Sequence, residues 1–236
     1  MQPEVRQAIV AYFKDAKPGK ILDIPSGNCW LFHELTSGAW EYFSADLFTS
    51  APVRNFQRVD LNERLPYDDD FFDYVACLEG LEHIENYHHA LREFYRILKK
   101  DGTLLISTPN PLNMKSRLRF LLFGTFYGFP HLVHMPAEGE HLHLSPINLS
   151  FLIAFAERYG FVLDRIHPVR IKVKMYRFIV HCWTLKLYSF VKLLFKEDET
   201  RRFLERLVTL NVLLNDGIVV SLRKQVGATK RARCEG

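Results

Sequence analysis

Cysteine is scarce in this chain, four among 236 residues, and Cys29, Cys77, Cys182 and Cys234 form no CxxC pair. That spacing reads as free thiols in a reducing compartment, and at this length a core needs neither disulfides nor a structural metal. Glycine and proline number only 12 and 11, with no periodic or low-complexity tract, so a fibrous chain is excluded. A hydrophobic content of 48% is too high for intrinsic disorder. The first residues, MQPEVRQAIVAYFKDAK, hold no apolar signal core, which sets a cytoplasmic expectation. Long apolar runs are also missing. Met175 to Phe195 comes nearest, but Arg177, His181, Lys186 and Lys192 make spanning a bilayer costly.

Charge is present in quantity and unevenly spread. The formal total is +4, yet residues 1–160 hold 15 Lys and Arg against 20 Asp and Glu, a net of −5. Residues 161–236 hold 16 against 7, a net of +9. The total is a cancellation, and the break points to different partners for the two parts.

Pro3 suits a first helical turn, and Val5, Ile9, Val10 and Phe13 recur at helical spacing, so a helix is expected before Pro18-Gly19 stops it. Apolar runs then alternate with helical stretches: Lys20 to Asp23, a helix over Asn28 to Thr36, Tyr42 to Asp46, Phe56 to Asp60, and Phe71 to Leu78. Strands separated by helices need crossovers, hence a parallel sheet. An amphipathic helix is expected over His88 to Lys100, stopped by Lys99, Lys100 and Gly102, before a fifth strand over Thr103 to Ser107. Ser145 and Pro146 read as the N-cap and first turn of a helix over Ile147 to Tyr159, and Phe161 to His167 and Gly217 to Leu222 as the last strands. Residues 111–146 are aromatic-rich and too long for a simple connection, which suits a lid or binding element.

Chemistry concentrates at Ile21-Leu-Asp-Ile-Pro-Ser-Gly-Asn-Cys29, an apolar strand ending in an acid and a tight turn at a helix N-terminus. Such a turn aims backbone N–H groups and the helix dipole at a ligand. A dinucleotide fingerprint would need glycine at 25, 27 and 30, and only Gly27 is there. The stretch resembles instead the first motif, hhDhGxGxG, of the class I S-adenosylmethionine-dependent methyltransferases, with Asp23 and Gly27 as its acid and middle glycine. Further motifs follow in that family's order. Asp46 closes the second run, and Asp60-Leu61 closes the third and leads into Leu65-Pro-Tyr-Asp-Asp-Asp-Phe-Phe-Asp73. Cys77 to Ile84 (CLEGLEHI) resembles the stretch ending in EH, and Leu98 to Pro109 (LKKDGTLLISTP) the LKPGGxLxxSTP stretch. The likeness is close over residues 18–111 and looser over 141–170 and 216–224.

The resemblance implies an α/β fold: a Rossmann-like three-layer sandwich whose seven-stranded, mostly parallel sheet has an antiparallel last strand, with a helical lid and a helical insertion between strands six and seven. It implies a single domain over 1–236, with a cofactor-binding half (1–110), a lid and acceptor region (111–146) and a basic insertion (171–215). It implies S-adenosylmethionine as cofactor and S-adenosylhomocysteine as product, held by Asp23, Pro25, Ser26, Gly27, Cys29, Asp46, Leu47, Asp60, Leu61, Cys77 and Leu78. In the family the acid after strand two accepts both ribose hydroxyls, a role that falls to Asp46. Asp23 would lie near the methionine end, Asp60-Leu61 against adenine, and Cys77 and Leu78 along the cofactor through backbone atoms. Two residues depart from the pattern. Pro25 replaces the first glycine, removing an N–H, and Cys29 replaces the third, adding a side chain where close approach is expected. The rival reading is a methyltransferase-like binding or scaffold protein without activity.

The turn after strand four, Cys77-Leu-Glu-Gly80, lacks both the (Asp/Asn/Ser)-Pro-Pro-aromatic sequence of base-amino methyltransferases and the Pro-Cys of cytosine enzymes, so no nucleic-acid partner is expected. The nearest likeness is to bacterial small-molecule and glycan O-methyltransferases, and the expected acceptor is a hydroxyl or carboxyl oxygen of a metabolite, sugar or lipid-linked glycan. His141, in GEHLHLSP, matches a histidine of that group and is the candidate base or acceptor orienter. Glu79 is a second candidate at the cleft mouth, and Glu82 and His83 either join it or cap the following helix. His131, His134, His141 and His143 could suggest metal spacing, but no cooperating cysteine or carboxylate is evident and no metal is expected. Asp68 to Asp70 read as a solvated turn, and Cys29 and Cys77 as packing residues. Ser116 to Pro130 would wall the acceptor pocket, with Arg117 and Arg119 either binding an anion or facing solvent.

In the basic insertion Arg177, His181, Thr184, Tyr188 and Lys192 share one helical face, and a second helix follows Thr200 with Phe203, Leu204, Leu207, Val208, Leu210 and Val212 apolar. Three arrangements stay open: packing on the sheet edge or on each other, contact with a second copy or partner, and a peripheral position on the inner face of an anionic membrane. The tail Lys230-Arg-Ala-Arg233 would add to the last.

Overall fold

The computed structural model describes residues 1–35, 39–49, 53, 55–129, 142–193 and 198–225. Seven strands form one sheet: β1 (Lys20–Asp23), β2 (Glu41–Asp46), β3 (Phe56–Arg58), β4 (Phe72–Leu78), β5 (Leu98–Pro109), β6 (Phe161–Ile166) and β7 (Gly217–Lys224). Their order is β3-β2-β1-β4-β5-β7-β6. The β1 to β5 pairings are parallel, as the alternation of strands and helices implied, and β7 runs antiparallel to both β5 and β6, as the resemblance implied. Chain order reverses direction between β1 and β4, so the crevice beyond their C-terminal ends is where such a sheet binds ligands.

Adjacent residues on the central strands go to opposite cores, which is why these strands read as continuous apolar runs. Ile21, Ala76, Leu105 and Val219 join α1 (Pro3–Asp15), through Val5, Ile9 and Phe13, and α2 (Trp30–Glu34), through Leu31. Leu22, Val75, Leu104 and Val220 face the other way, onto Leu91 and Phe94 of α3 (Tyr87–Ile97) and Leu152 and Ile153 of α5 (Leu149–Arg158). Each of the buried Val, Leu, Ile and Phe side chains among these contributes about 1.5–3 kcal/mol of transfer free energy.

Local expectations needed revision in four places. The helix expected to run to Lys100 ends at Ile97, because Leu98 already pairs with Phe72 and the Lys-Lys-Asp-Gly stretch belongs to β5. Asn148, not Ser145, caps α5: its side chain accepts from the Ser150 N–H, while the Ser145 hydroxyl donates to the Ile84 carbonyl. The turn at Asp68 to Asp70 is anchored as well as solvated, with Asp69 on Arg96 at 2.8 Å and Asp70 on Lys224 at 2.7 Å. The second helix of the insertion is two, α7 (Asp198–Leu207) and α8 (Leu210–Leu214), divided at Thr209, whose hydroxyl accepts from the Val212 N–H.

The insertion also holds α6 (Ile179–Leu193), and α4 (Met114–Phe123) follows β5. A third, small core joins them: Met175, Cys182, Leu213 and Leu214, with Met114 packed against it. Only Cys182 and Leu193 of α6 are buried, and Trp183, Leu187, Tyr188 and Phe190 are exposed. Arg177, expected on the same face as His181, Thr184, Tyr188 and Lys192, lies instead on the 3-10 helix Val173–Phe178 that precedes α6, and most of the apolar surface of α6 is uncovered. Among the described residues no helix is long and apolar enough to cross a membrane.

Candidate functional site

A cavity of about 480 Å³ opens at the sheet's reversal point. Its floor is the turn after β1. Ile24 N–H donates to the Ala76 carbonyl and Ser26 N–H to the Ala45 carbonyl, so the turn is pinned to both neighbouring strands. Gly27 takes a left-handed φ of 52°, and a Cβ there would meet nothing, so the space beside its Cα is open, while its N–H donates to Asp46 and its carbonyl accepts the Thr49 hydroxyl. Gly80 faces the turn from β4: a Cβ on it would lie 2.3 Å from the Pro25 Cδ. Pro25 therefore fits where a glycine was expected because its neighbour has no side chain.

Asp46, at the end of β2, ties the site together. Its Oδ1 accepts the Phe48 and Thr49 N–H groups and its Oδ2 the Gly27 N–H, each at 2.9 Å. Burial works against its charge, but the N–H groups of Thr49, Gly27 and Phe48 prevail and hold its carboxyl below the usual carboxylate range. Oδ1 is thus saturated by backbone, and ligand binding is left to Oδ2. Asp60 lines the same wall, its Oδ1 accepting from the backbone and side chain of Asn62.

Of the residues expected at the cofactor, Pro25, Ser26, Gly27, Asp46, Leu47, Asp60, Leu61 and Leu78 line the cavity. Asp23, Cys29 and Cys77 do not; they are buried beneath it. Asp23 accepts a 2.5 Å bond from the Tyr42 hydroxyl, and burial pushes its carboxyl up to about 7. Cys29 adopts a left-handed φ of 54°, which turns its side chain into the protein and not toward the ligand. Burial raises the Cys77 thiol well above its ordinary range, which suits packing better than nucleophilic chemistry. His83, expected at the cleft mouth, lines it, and sequence reasoning missed Asn28, Phe48, Thr49, Asn62 and His143.

The open end of the cavity carries acids and histidines. Glu79 sits at a left-handed φ of 55°, its N–H held by the Ser107 carbonyl at 2.9 Å, and its side chain lines the cavity. Burial raises its carboxyl, and burial and the charge of Glu79 raise that of Glu82. Glu82 and His83 do not cap α3, a task taken by Asn86, whose side chain accepts from the His89 N–H. They lie on a 3-10 turn, Leu81–His83, and the Glu82 carbonyl accepts the Leu144 and Ser145 N–H groups. That tie brings His143 over the mouth, its ring centroid 4.8 Å from that of His83. His131, His134 and His141 lie outside the described residues. Arg117 and Arg119 do not reach the cavity: their Nε atoms donate to the Leu112 carbonyl and the Thr125 hydroxyl.

The site contains what an adenosyl cofactor requires. The buried Ser26 hydroxyl has no partner and the floor at the Gly27 Cα is clear of side chains, while Asp46 and Asp60 stand along one wall.

A sequence profile of the family described as a methyltransferase domain matches residues 1–166. The demethylmenaquinone methyltransferase of Mycobacterium tuberculosis (strain ATCC 25618 / H37Rv) is 39% identical over 101 residues, 39% of this chain and 43% of that protein. The match thus spans under half the length of that curated relative. Among solved structures, a SAM dependent methyltransferase from Archaeoglobus fulgidus has a TM-score of 0.57 at 16% identity, covering 94% of this chain and 92% of that one. An S-adenosylmethionine dependent methyltransferase from Mesorhizobium loti has a TM-score of 0.55 at 15% identity, covering 94% and 98%. At such identities the likeness is one of fold.

Proposed function

This chain belongs to the methyltransferase-domain family, an S-adenosylmethionine-dependent methyltransferase by family and fold, and from that premise we propose that it methylates a hydroxyl or carboxyl oxygen of a small metabolite, a sugar or a lipid-linked glycan. The observation that carries the oxygen acceptor is Glu79, a carboxylate with raised proton affinity facing the cavity mouth. Carbon acceptors, such as that of the relatives named for menaquinone synthesis, set a different demand, and the product distinguishes the two.

When bound, the cofactor supplies an electrophilic methyl group on a positively charged sulfur. Asp46 Oδ2 would hold a ribose hydroxyl, the Ser26 hydroxyl would serve the amino-acid end over the open floor at Gly27, and Asp60, Leu61 and Asn62 would border the adenine. Glu79 takes the acceptor's proton as the oxygen–carbon bond forms and the carbon–sulfur bond breaks with its electron pair retained by sulfur. His141, outside the described residues, remains the alternative base. Positioning and exclusion of water supply the rest of the rate enhancement.

We further propose that the acceptor is met at an anionic membrane surface, on the exposed apolar faces of α4 and α6. The oxygen assignment is tested by incubating the protein with methyl-¹³C cofactor and glycan or quinol acceptors, then reading the product by carbon NMR. An O-methyl resonance is expected, and a C-methyl resonance would overturn it. Glu79→Gln should lower kcat by about 10²–10⁴-fold while S-adenosylhomocysteine affinity, measured by calorimetry, holds. Failure of the wild type to bind S-adenosylhomocysteine would favour the scaffold reading.

A further inference from the structure

We infer that Glu82, His83 and His143 form a divalent transition-metal site at the acceptor end of the cavity, an inference that rests on the methyltransferase reading for its purpose and not for its geometry. Each of the three offers one ligand atom, and these atoms lie within 4.8 Å of one another. Two neighbours on a short turn and a third residue sixty positions later converge because the Glu82 carbonyl binds the Leu144 and Ser145 N–H groups.

The orientation of the rings is the second observation. His83 Nδ1 lies 2.9 Å from the Leu142 carbonyl, and His143 Nδ1 lies 2.7 Å from the Gly128 carbonyl. A carbonyl only accepts, so Nδ1 carries the proton in both rings and the lone pair of each neutral imidazole resides on Nε2. Metal-binding histidines are commonly fixed in this way, by a carbonyl or carboxylate behind the ring.

Glu82 supplies the third observation. It is fully buried, its Oε2 accepts from the Thr108 hydroxyl at 3.2 Å, and its buried Oε1 has no hydrogen-bond partner. A buried carboxylate with one oxygen unsatisfied is costly, and a cation beside Oε1 would compensate it. The expectation of no metal rested on histidines without a cooperating carboxylate, and Glu82 was not legible as that partner across the intervening sequence.

Two imidazoles and one carboxylate suit zinc, iron(II), manganese or cobalt and leave positions open for oxygen ligands. His83 and His143 line the cavity beside Glu79, so those positions face the acceptor. The acceptor class that fits is one with two adjacent oxygens, a vicinal diol or an ortho-dihydroxy ring. Binding to the cation would lower the pKa of one hydroxyl; its proton would pass to Glu79, and the oxygen would take the methyl group as the carbon–sulfur bond of the cofactor breaks with its electron pair left on sulfur.

Cobalt(II) titrated alone into the full chain, followed by visible absorption, tests the site. Ligand-field bands displaced by zinc are expected in the wild type, with affinity reduced at least about tenfold in Glu82→Gln, His83→Ala and His143→Ala. S-adenosylhomocysteine calorimetry on each variant reports folding; if Glu82→Gln fails that check, the half-buried His143→Ala decides. No bands in the wild type, or bands that none of the variants changes, overturn the metal site. Cobalt bands without S-adenosylhomocysteine binding would leave the site standing and overturn the methyltransferase reading.

Discussion

Asp46 satisfies three backbone N–H groups with two oxygens, and its removal would leave donors from two loops unpaired at once. Asp46→Ala should therefore destabilise by about 1–3 kcal/mol in chemical denaturation and weaken S-adenosylhomocysteine at least about tenfold in calorimetry. A stable variant with unaltered affinity would remove Asp46 from the site. Asp23 makes a different prediction, because its carboxyl stands near 7 when folded against 3.8 in the unfolded chain. Between those values the folded state holds the extra proton, so stability falls as pH rises from about 4 to about 7 and levels off above. Asp23→Asn cannot ionise, so its melting temperature should exceed that of the wild type by a margin that grows from about pH 5 to about pH 8. A constant margin would mean that Asp23 stays ionised. Asp46, Asp60 and Gly27 were readable because each stands at a fixed offset from a strand end. His83 was readable at the cleft mouth, but its meeting with His143 was not, since that depends on the chain folding back over sixty residues.

Elements were readable where one period dominates. The central strands and α3 announced themselves by apolar runs and by helical spacing, but their limits were settled by long-range pairing: Leu98 leaves the helical pattern because Phe72 offers a strand partner. At the start of α5, two candidate caps lay close together in the sequence, and the backbone selected one. Asn148→Ala should cost about 1 kcal/mol in thermal or chemical unfolding, and Ser145→Ala markedly less. The reverse ranking would restore the sequence-based assignment. The end of β4 meets the turn after β1 with no space between them. Gly80→Ala, at an ordinary φ of −122°, should cost about 1–3 kcal/mol through overpacking on Pro25 and lower S-adenosylhomocysteine affinity. Unchanged affinity would show that the two loops move independently.

At the scale of the molecule, the uneven charge noted in the sequence acquires a surface. Helices α4 and α6 meet near the small third core, where Arg117 and Cys182 are close enough to interact electrostatically. Both expose large apolar side chains: Leu121 is 80% exposed, Phe123 68%, Leu187 66% and Trp183 57%. Helical periodicity suggested an amphipathic helix here, yet periodicity does not say which face the rest of the chain covers. Residues 165–193 contain seven Lys and Arg and no Asp or Glu, and residues 111–129 contain three and none. A second copy of the chain docked on this surface would bring like charges together, whereas an anionic bilayer offers opposite charge and an apolar interior. The turn after α4 reaches the cavity, since the Gly128 carbonyl lies 2.7 Å from His143 Nδ1 and the Phe129 ring centroid 5.4 Å from that of His143. Docking there would set the acceptor end of the site against the surface from which a lipid-linked substrate comes. The protein should therefore co-sediment with vesicles of phosphatidylglycerol at low salt, remain in solution with phosphatidylcholine alone, and lose affinity as salt rises. Trp183→Glu with Leu187→Glu should abolish sedimentation while S-adenosylhomocysteine binding persists, because both side chains are exposed and far from the cavity lining. Equal binding to both lipids, or sedimentation that survives the double substitution, would remove the membrane from the account, and a concentration-dependent dimer that the same substitutions dissolve would put a second copy in its place.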